Sequence, residues 1–309
     1  MLGKWNKPTL LVLAAGMVSR YGGLKQLESI GPGGETMLDY AVFDAIRAGF
    51  ARIVFVIRQD FAAQFHAQVV AHYAGRIEVT CVCQDLLDVP GGFLVPAHRI
   101  KPWGTVHAVL AARAVLPDAF AVINGDDFYG RDAYQRMVGF LSALHTRASR
   151  PGPCAMVGYR LELTLSPNGG VNRGVCVARE GALVSVEEYT GITAGTDGLC
   201  RGHNTLGQQQ LVPGQALCSM NFWGFTPDML THLADGFADF LQQRGQERDA
   251  ECYIPTLVDH LIRQGKIRCH ILATSSVWFG VTYPQDKARC VATVEALIAR
   301  GEYPSTLWP

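Results

Sequence analysis

The stretch Thr9–Gln26, TLLVLAAGMVSRYGGLKQ, decides how the rest of the chain is read. Leu10 to Ala15 form a compact apolar run of the kind that makes a buried strand. Gly16, Ser19, Arg20, the Gly22-Gly23 pair and Lys25 follow. A buried strand that breaks into small residues and cations makes a phosphate cradle. Backbone N–H groups can close on an anion where side chains are small, and Arg20 and Lys25 supply charge. An ordinary surface turn with two solvated cations is the alternative. The cradle is favoured because strand, loop and cations coincide where an α/β sheet binds ligands.

Two familiar phosphate loops are excluded. A Walker A loop needs Gly-Lys followed by Ser or Thr, but Lys25 lies between Leu24 and Gln26. A dinucleotide fingerprint needs G-x-G-x-x-G, and Val18 and Tyr21 stand at its second and third glycines. What remains is Leu13-Ala14-Ala15-Gly16, then Ser19-Arg20, then Lys25. This pattern resembles the opening motif of the sugar-1-phosphate nucleotidyltransferases, close to LAAGxGSR followed by a lysine. The resemblance implies a nucleotide on Leu13, Ala14, Ala15, Gly16 and Ser19, with Arg20 and Lys25 on its phosphates. Val18 departs from the family, which usually has a second glycine there.

Working outward, Gly31-Pro32-Gly33-Gly34 is a turn cluster. Thr36 caps a predicted helix through Ala48, ended by Gly49. Ile53–Ile57 is a second buried strand, Asp60–Tyr73 a second helix, and Ile77–Cys83 a third strand ending at Gln84. Strands and helices alternating at this spacing predict an α/β, doubly wound, mainly parallel, Rossmann-like sheet. Asp85–Lys101 is rich in Pro and Gly and reads as an insertion or a lid beside the site. Gly104-Thr105 opens a further helix, with Thr105 as its expected cap. Alone, Gln84 and Gly104-Thr105 read as a strand end and a helix cap. The resembled family, however, carries a Gln followed by Gly-Thr-x-His-Ala, here Gly104–Ala108, which implies that they recognise a nucleobase edge. By the same analogy the triphosphate is a pyrimidine one, uridine or thymidine.

Ala119–Asn124 is a fourth strand, followed by Gly125-Asp126-Asp127. Carboxylates at the carboxyl end of a buried strand cap the next helix or hold a cation. Asp132 is the better placed cap for a helix over Ala133–Leu144. The resemblance implies that Asp126 holds a catalytic Mg2+, with Asp127 as its neighbour. The family's second metal ligand falls near Thr282, leaving Thr282, Asp286 or neither. Asp286 reads first as the cap of a final helix, Asp286–Ala299.

The second half, 151–309, reads as short strands (Ala155–Arg160, Gly174–Ala178, Leu183–Glu188, Leu217–Phe225, Ile267–Ala273). Helices over Pro227–Gln243 and Glu251–Gln264 accompany them, and a polar, glycine-rich Gly191–Gly214 reads as a mobile flap. No internal repeat or linker separates it from the nucleotide-binding half, 1–150, so one domain over 1–309 is expected. In the resembled family this half is an elaborated sugar-binding region. The resemblance puts Arg173, Glu188 and Asn221 on the sugar phosphate, with Glu187 beside them.

Composition narrows the remaining classes. Apolar residues make up 49% of the 309 residues and charged residues 17%, so a large core is expected. Lys+Arg and Asp+Glu both number 27, which gives no general attraction to nucleic acid or anionic membrane. The nine cysteines lack zinc-ligand spacing and read as buried thiols of a reducing compartment. The N-terminus MLGKWNKP has no apolar signal segment and no run reaches membrane-spanning length, so a cytoplasmic protein is expected. The implied reaction is magnesium-dependent transfer of a nucleotidyl group from a nucleoside triphosphate to a sugar-1-phosphate. A non-catalytic nucleotide-binding regulator, or a cytidylyltransferase of a non-sugar alcohol phosphate, remains the alternative.

Overall fold

Strand β1 (Thr9–Leu13) sits between β2 (Arg52–Ile57) and β4 (Phe120–Asn124), parallel to both, and β3 (Glu78–Cys83) pairs in parallel on the far side of β2. The computed structural model describes residues 7–16, 29–144 and 152–308. Helices α1 (Met37–Ala48), α2 (Ala62–Gln68) and α3 (Thr105–Ala111) make the crossovers. The run of apolar residues in β1 follows from burial on both faces. Leu10 and Val12 enter one core cluster and Leu11 the other, as the two-residue period of a strand requires.

The chain then adds β5 (Asp127–Phe128), α4 (Arg131–Leu144), β6 (Gly152–Arg160), β7 (Val171–Arg179), β8 (Ala182–Ala194), β9 (Leu199–His203), β10 (Gln209–Pro213) and β11 (Leu217–Phe225). Helices α5 (Met229–Arg244) and α6 (Ile254–Arg263), β12 (Ile267–Ala273), β13 (Phe279–Gly280) and α7 (Asp286–Ala299) complete it. Among the described residues, the order along one eleven-stranded sheet is β10-β9-β8-β12-β6-β11-β4-β1-β2-β3, with β7 bridging β11 and β8. The doubly wound α/β expectation holds. Strands β3-β2-β1-β4 pair in parallel, the second half joins them through β11, antiparallel to β4, and there only β12 and β6 of the described strands are parallel, so the sheet as a whole is mixed rather than mainly parallel. The sheet is therefore continuous from the first half into the second.

Local chemistry explains most boundaries. Thr36 and Asp39 form a reciprocal capping box, and Gly49 closes α1 at φ 105°, where a side chain would be strained. Three expectations are corrected. Gly191–Gly214 is not a flap: β8 runs on to Ala194, and β9 and β10 form a hairpin at the sheet edge, with Ile192, Cys200 and Val212 buried beneath it. Asp85–Lys101 has no helix or strand but is tied down. The Arg99 guanidinium is buried over the Trp103 ring, 3.5 Å from its centroid, and donates to the carbonyls of Pro102, Glu247 and Ala250. That segment lines no part of the cleft described below, so it is a strap rather than a lid. Asp132 lies inside α4 and does not precede it. Its carboxylate accepts from Thr274 Oγ1 (2.7 Å) and Ser275 N–H (3.0 Å), pinning the chain that follows β12.

Candidate active site

The strand order reverses between β1 and β4, and the chain leaves both strands there at their carboxyl ends. Such a switch point opens a crevice that helices cannot cover. Leu13 lies opposite Asn124, its carbonyl accepts from Gly125 N–H (3.0 Å), and Ala14 N–H donates to the Val56 carbonyl (2.8 Å). The start of the glycine loop and the Gly125-Asp126 step therefore leave the sheet side by side. Ala14 and Ala15 are buried while Gly16 is exposed, with no described atom within 4 Å of where a Cβ would stand. Val18, Ser19, Arg20 and Lys25 lie outside the described residues.

A cleft of about 550 Å³ opens beside this point. Of the residues singled out in the sequence, it brings together Thr105, Asp126, Asp127, Arg173, Glu188 and Asn221, and Thr282 joins them. Gln84 and Gly104 lie outside its walls. Asp126 is half-buried and makes no hydrogen bond to a described residue. Its neighbour Asp127 also lines the cleft but is hydrogen-bonded, accepting from Asn124 Nδ2 (2.9 Å) and from the Tyr129 hydroxyl (3.1 Å). Desolvation first, and then the Asp126 charge, push the Asp127 carboxyl up to about 7 against those hydrogen bonds. The two adjacent carboxylates thus have different tasks open to them: Asp126 is free to bind a cation, and Asp127 anchors a network.

Asn221 belongs to that network. It stands in a bulge of β11, between Ser219 and Trp223, at φ 64°. Asparagine is among the few side chains that tolerate this left-handed region. Its Nδ2 donates to Asn124 Oδ1 (2.7 Å) and its Oδ1 accepts from Trp223 Nε1 (3.0 Å). The line Trp223–Asn221–Asn124–Asp127 therefore stiffens the cleft floor, and both ends of the Asn221 amide are already engaged. Asn124 is a polar end to an apolar strand, a signal present in the sequence but not followed. Trp278, which also lines the cleft, is not marked by any motif in the sequence.

Arg173 is buried on the cleft wall, yet among the described residues it forms no ion pair. It donates to Thr164 Oγ1 (3.2 Å), the Thr164 carbonyl (2.5 Å) and the Asn172 carbonyl (2.7 Å), and lies over the Trp278 ring at 4.7 Å. Burial lowers its pKa, opposed by nearby charges that include Asp127 and Glu188. Burial raises that of Glu188, opposed by Arg173. A desolvated cation held only by neutral groups is a poor stability device and a good anion receptor.

The base-side residues are packed differently from expectation. Gly104 adopts φ 94°, and a Cβ there would stand 2.6 Å from the Cys252 carbonyl oxygen. The Cys252 backbone pairs across to Trp103 and Val106. Thr105 is not the cap of its own helix. It is the first residue of α3, and its Oγ1 accepts from Ile254 N–H (3.0 Å), satisfying one of the orphan donors at the start of α6. These residues thus dock the second half against the first. Gln84 Nε2 lies 2.9 Å from His107 Nδ1.

For a cation, the cleft offers the Asp126 carboxylate and the Thr282 hydroxyl. No group of three or more His, Cys, Asp or Glu side chains among the described residues could form a dedicated cage. That donor set fits magnesium, which takes one or two protein oxygens and completes its shell with phosphate and water. Asp286 does not line the cleft. As the first residue of α7, its carboxylate accepts from Tyr283 N–H, Ser166 Oγ and Asn168 Nδ2, each at 2.8 Å. Burial alone would raise its pKa, but these hydrogen bonds outweigh it and hold the carboxyl below the usual range. It ties down the start of α7 as expected, though the residue in the capping position is Gln285.

Residues 18–150 match the family model described as nucleotidyl transferase. No protein of curated function matches the chain by sequence. Solved structures share its fold over nearly its full length. A Bacillus anthracis protein described as a glucose-1-phosphate thymidylyltransferase aligns over 93% of this chain and 94% of its own, with TM-score 0.59 and 11% identity. The inositol-1-phosphate CTP transferase from T. maritima aligns over 94% and 97%, with TM-score 0.58 and 11% identity. A UDP-glucose pyrophosphorylase solved with UDP-glucose aligns over 94% and 98%, with TM-score 0.56 and 15% identity.

Proposed function

We propose, from the premise that the chain belongs through residues 18–150 to the nucleotidyl transferase family, that it joins a nucleoside triphosphate to a sugar-1-phosphate. An oxygen of the sugar phosphate attacks the α-phosphorus, a new P–O bond forms, and pyrophosphate leaves with the electron pair of the bond that breaks. Such a transfer needs in-line positioning and charge neutralisation rather than a protein nucleophile. One observation carries the reading: at the switch point, Asp126, which among the described residues makes no hydrogen bond, shares a cleft with a buried arginine, Arg173, that among them has no ion-pair partner.

The first-loop roles rest on the sequence resemblance, and those of Asp126, Thr282, Arg173, Glu188 and Asn221 on the lining of the cleft. Backbone groups at Leu13–Gly16 and Ser19, with Arg20 and Lys25, bind the triphosphate. Asp126, supported by Thr282, holds magnesium; when bound, the ion neutralises phosphate oxygens. Arg173 receives the acceptor phosphate and Glu188 accepts hydrogen bonds from sugar hydroxyls. Asn221 shapes the floor beneath them. Gln84, Gly104 and Thr105 form the base end, with a uridine or thymidine triphosphate favoured. The two halves act as one domain, since neither alone holds both Asp126 and Arg173. Nine free thiols suit a reducing, cytoplasmic setting.

The test is pyrophosphate release with magnesium, each of five common nucleoside triphosphates, and a panel of acceptors. The panel holds hexose-1-phosphates, inositol-1-phosphate and phosphocholine. Turnover with a hexose-1-phosphate supports the proposal. Turnover confined to inositol-1-phosphate or phosphocholine replaces the acceptor, and no release with any pair refutes the reading.

A further inference from the structure

Gln84 closes β3 at the same carboxyl edge as the glycine loop, its N–H donating to the Ile57 carbonyl (2.8 Å). Its side-chain amide nitrogen lies 2.9 Å from His107 Nδ1 and 3.5 Å from the Gly104 carbonyl oxygen. His107, on α3, is buried and stacked on Phe237 at 5.2 Å. Its other ring nitrogen, Nε2, lies 2.9 Å from the backbone carbonyl of Asp88. The Asp88 carboxylate is itself clamped by Arg113 at 2.8 and 3.0 Å, which fixes the loop that presents this carbonyl.

These contacts settle the hydrogens. A backbone carbonyl only accepts, so His107 Nε2 carries a proton. Burial lowers the His107 pKa, against the Asp88 carbonyl bond and the Asp88 charge, and the ring is neutral at pH 7. A neutral imidazole protonated at Nε2 has a bare lone pair at Nδ1. The Gln84 atom facing it must then be the NH2 group. The Gly104 carbonyl, a second acceptor on the same side, requires the same orientation. Gln84 Oε1 is left pointing away, and it makes no hydrogen bond to a described residue.

We propose that His107 is a positioning residue for base selection, locking the Gln84 amide so that the nucleotide meets a carbonyl acceptor and never the amide donor. The inference rests on the nucleotidyl transfer proposed above. A glutamine free to flip presents either end and discriminates poorly; one held by an Asp88–His107 relay presents only Oε1. The bases that match are those whose pairing edge carries a ring N–H: uracil, thymine and guanine. Cytosine and adenine present a ring lone pair there and leave two acceptors facing each other. A site built to hydrogen-bond one form rejects the other strongly, because its polar group stays unpaired.

The experiment compares kcat/KM for UTP, TTP, GTP, CTP and ATP in the wild type and three variants. The wild type should favour its best ring-N–H triphosphate over CTP and ATP by at least about 30-fold. His107→Gln keeps a donor near Nε2 but has no acceptor at Nδ1, and His107→Phe has neither. Both should reduce that ratio to within about 5-fold, chiefly through KM. His107→Asn places an amide end near Nδ1 and should restore much of it. Nitrogen-15 NMR of the wild type, with the His107 signal identified by its loss in His107→Asn, should report a proton on Nε2 alone. Any one of the three variants that folds identifies the signal, so the measurement stands if another fails to fold. A wild type that prefers CTP or ATP, a ratio unmoved in His107→Gln and His107→Phe, or a proton on Nδ1 overturns the proposal. Absence of turnover with every triphosphate refutes the nucleotidyl transfer instead, while the tautomer still reports on the relay.

Discussion

Replacing Asn221 separates backbone strain from the hydrogen-bonded network in a way few positions allow. The residue sits at φ 64° and both ends of its amide are engaged. Asn221→Ala leaves Asn124 Oδ1 and Trp223 Nε1 without their partner, at about 1–3 kcal/mol each when buried. Both contacts are only part-buried, so the low end applies, about 2–3 kcal/mol together. Alanine also pays about 1 kcal/mol for the left-handed backbone. The sum is about 3–4 kcal/mol. Asn221→Gly loses the same hydrogen bonds but not the backbone conformation, and should be about 1 kcal/mol less damaging, partly offset by glycine's freedom when unfolded. Urea unfolding of the three proteins reads this order directly. Because Asn221 also positions Asn124 and through it Asp127, both variants should raise the KM for the acceptor more than that for the triphosphate. A cost below about 1 kcal/mol for Asn221→Ala, or equal costs for alanine and glycine, would refute the argument.

Gly104→Ala should be strongly destabilising, since its Cβ would meet the Cys252 carbonyl at 2.6 Å and its φ is 94°; an unchanged melting temperature would count against that docking. Asp44 is buried against Arg47 and Tyr303, and burial, opposed by those partners, raises its pKa to about 6. A carboxyl with a raised pKa stabilises the fold fully below its unfolded value and loses that contribution as pH rises through its folded value. Wild type should therefore lose about 2 kcal/mol relative to Asp44→Asn between pH 4 and pH 6.5, measured by urea unfolding across that window. A difference independent of pH would contradict it. Asp286 has the opposite sign: its lowered pKa gives stability above the unfolded value that is lost as pH falls. Asp286→Asn should cost about 1–3 kcal/mol while turnover of the folded enzyme stays within a few-fold of wild type. A large fall in turnover with unchanged stability would bring Asp286 back as a ligand.

The sequence was most informative where local pattern and burial agree. The stretches Leu217–Phe225, Ile267–Ala273 and Asp286–Ala299 form elements with the bounds their periodicity indicates. The Asp126 position was legible because an apolar strand cannot end in carboxylates without a reason. The hairpin over 199–213 was not, because an edge strand buries only alternate residues, and Cys200 and Val212 are too few to stand out among glycines and glutamines. The roles of the segment Asp85–Lys101, which carries Arg99, and of Thr105 were hidden for another reason. The partners of Arg99 and Thr105 that tie them to the second half lie about 150 residues away, in 247–254, and no local period encodes a contact of that span. Asn221 reads as an ordinary strand residue until the bulge turns its amide toward Asn124.

The central claim is that the cleft at the β1–β4 switch point carries out magnesium-dependent nucleotidyl transfer through Asp126. Its most direct test is initial-rate pyrophosphate release by wild type and Asp126→Asn, across a magnesium titration, with the best triphosphate and acceptor pair. Asp126 makes no hydrogen bond to a described residue, so the asparagine variant should fold with a melting temperature near that of wild type. Its turnover should fall by at least about 100-fold, in keeping with the loss of a charge that stabilises the transition state. An Asp126→Asn enzyme that releases pyrophosphate at the wild-type rate with the wild-type magnesium dependence would contradict the account.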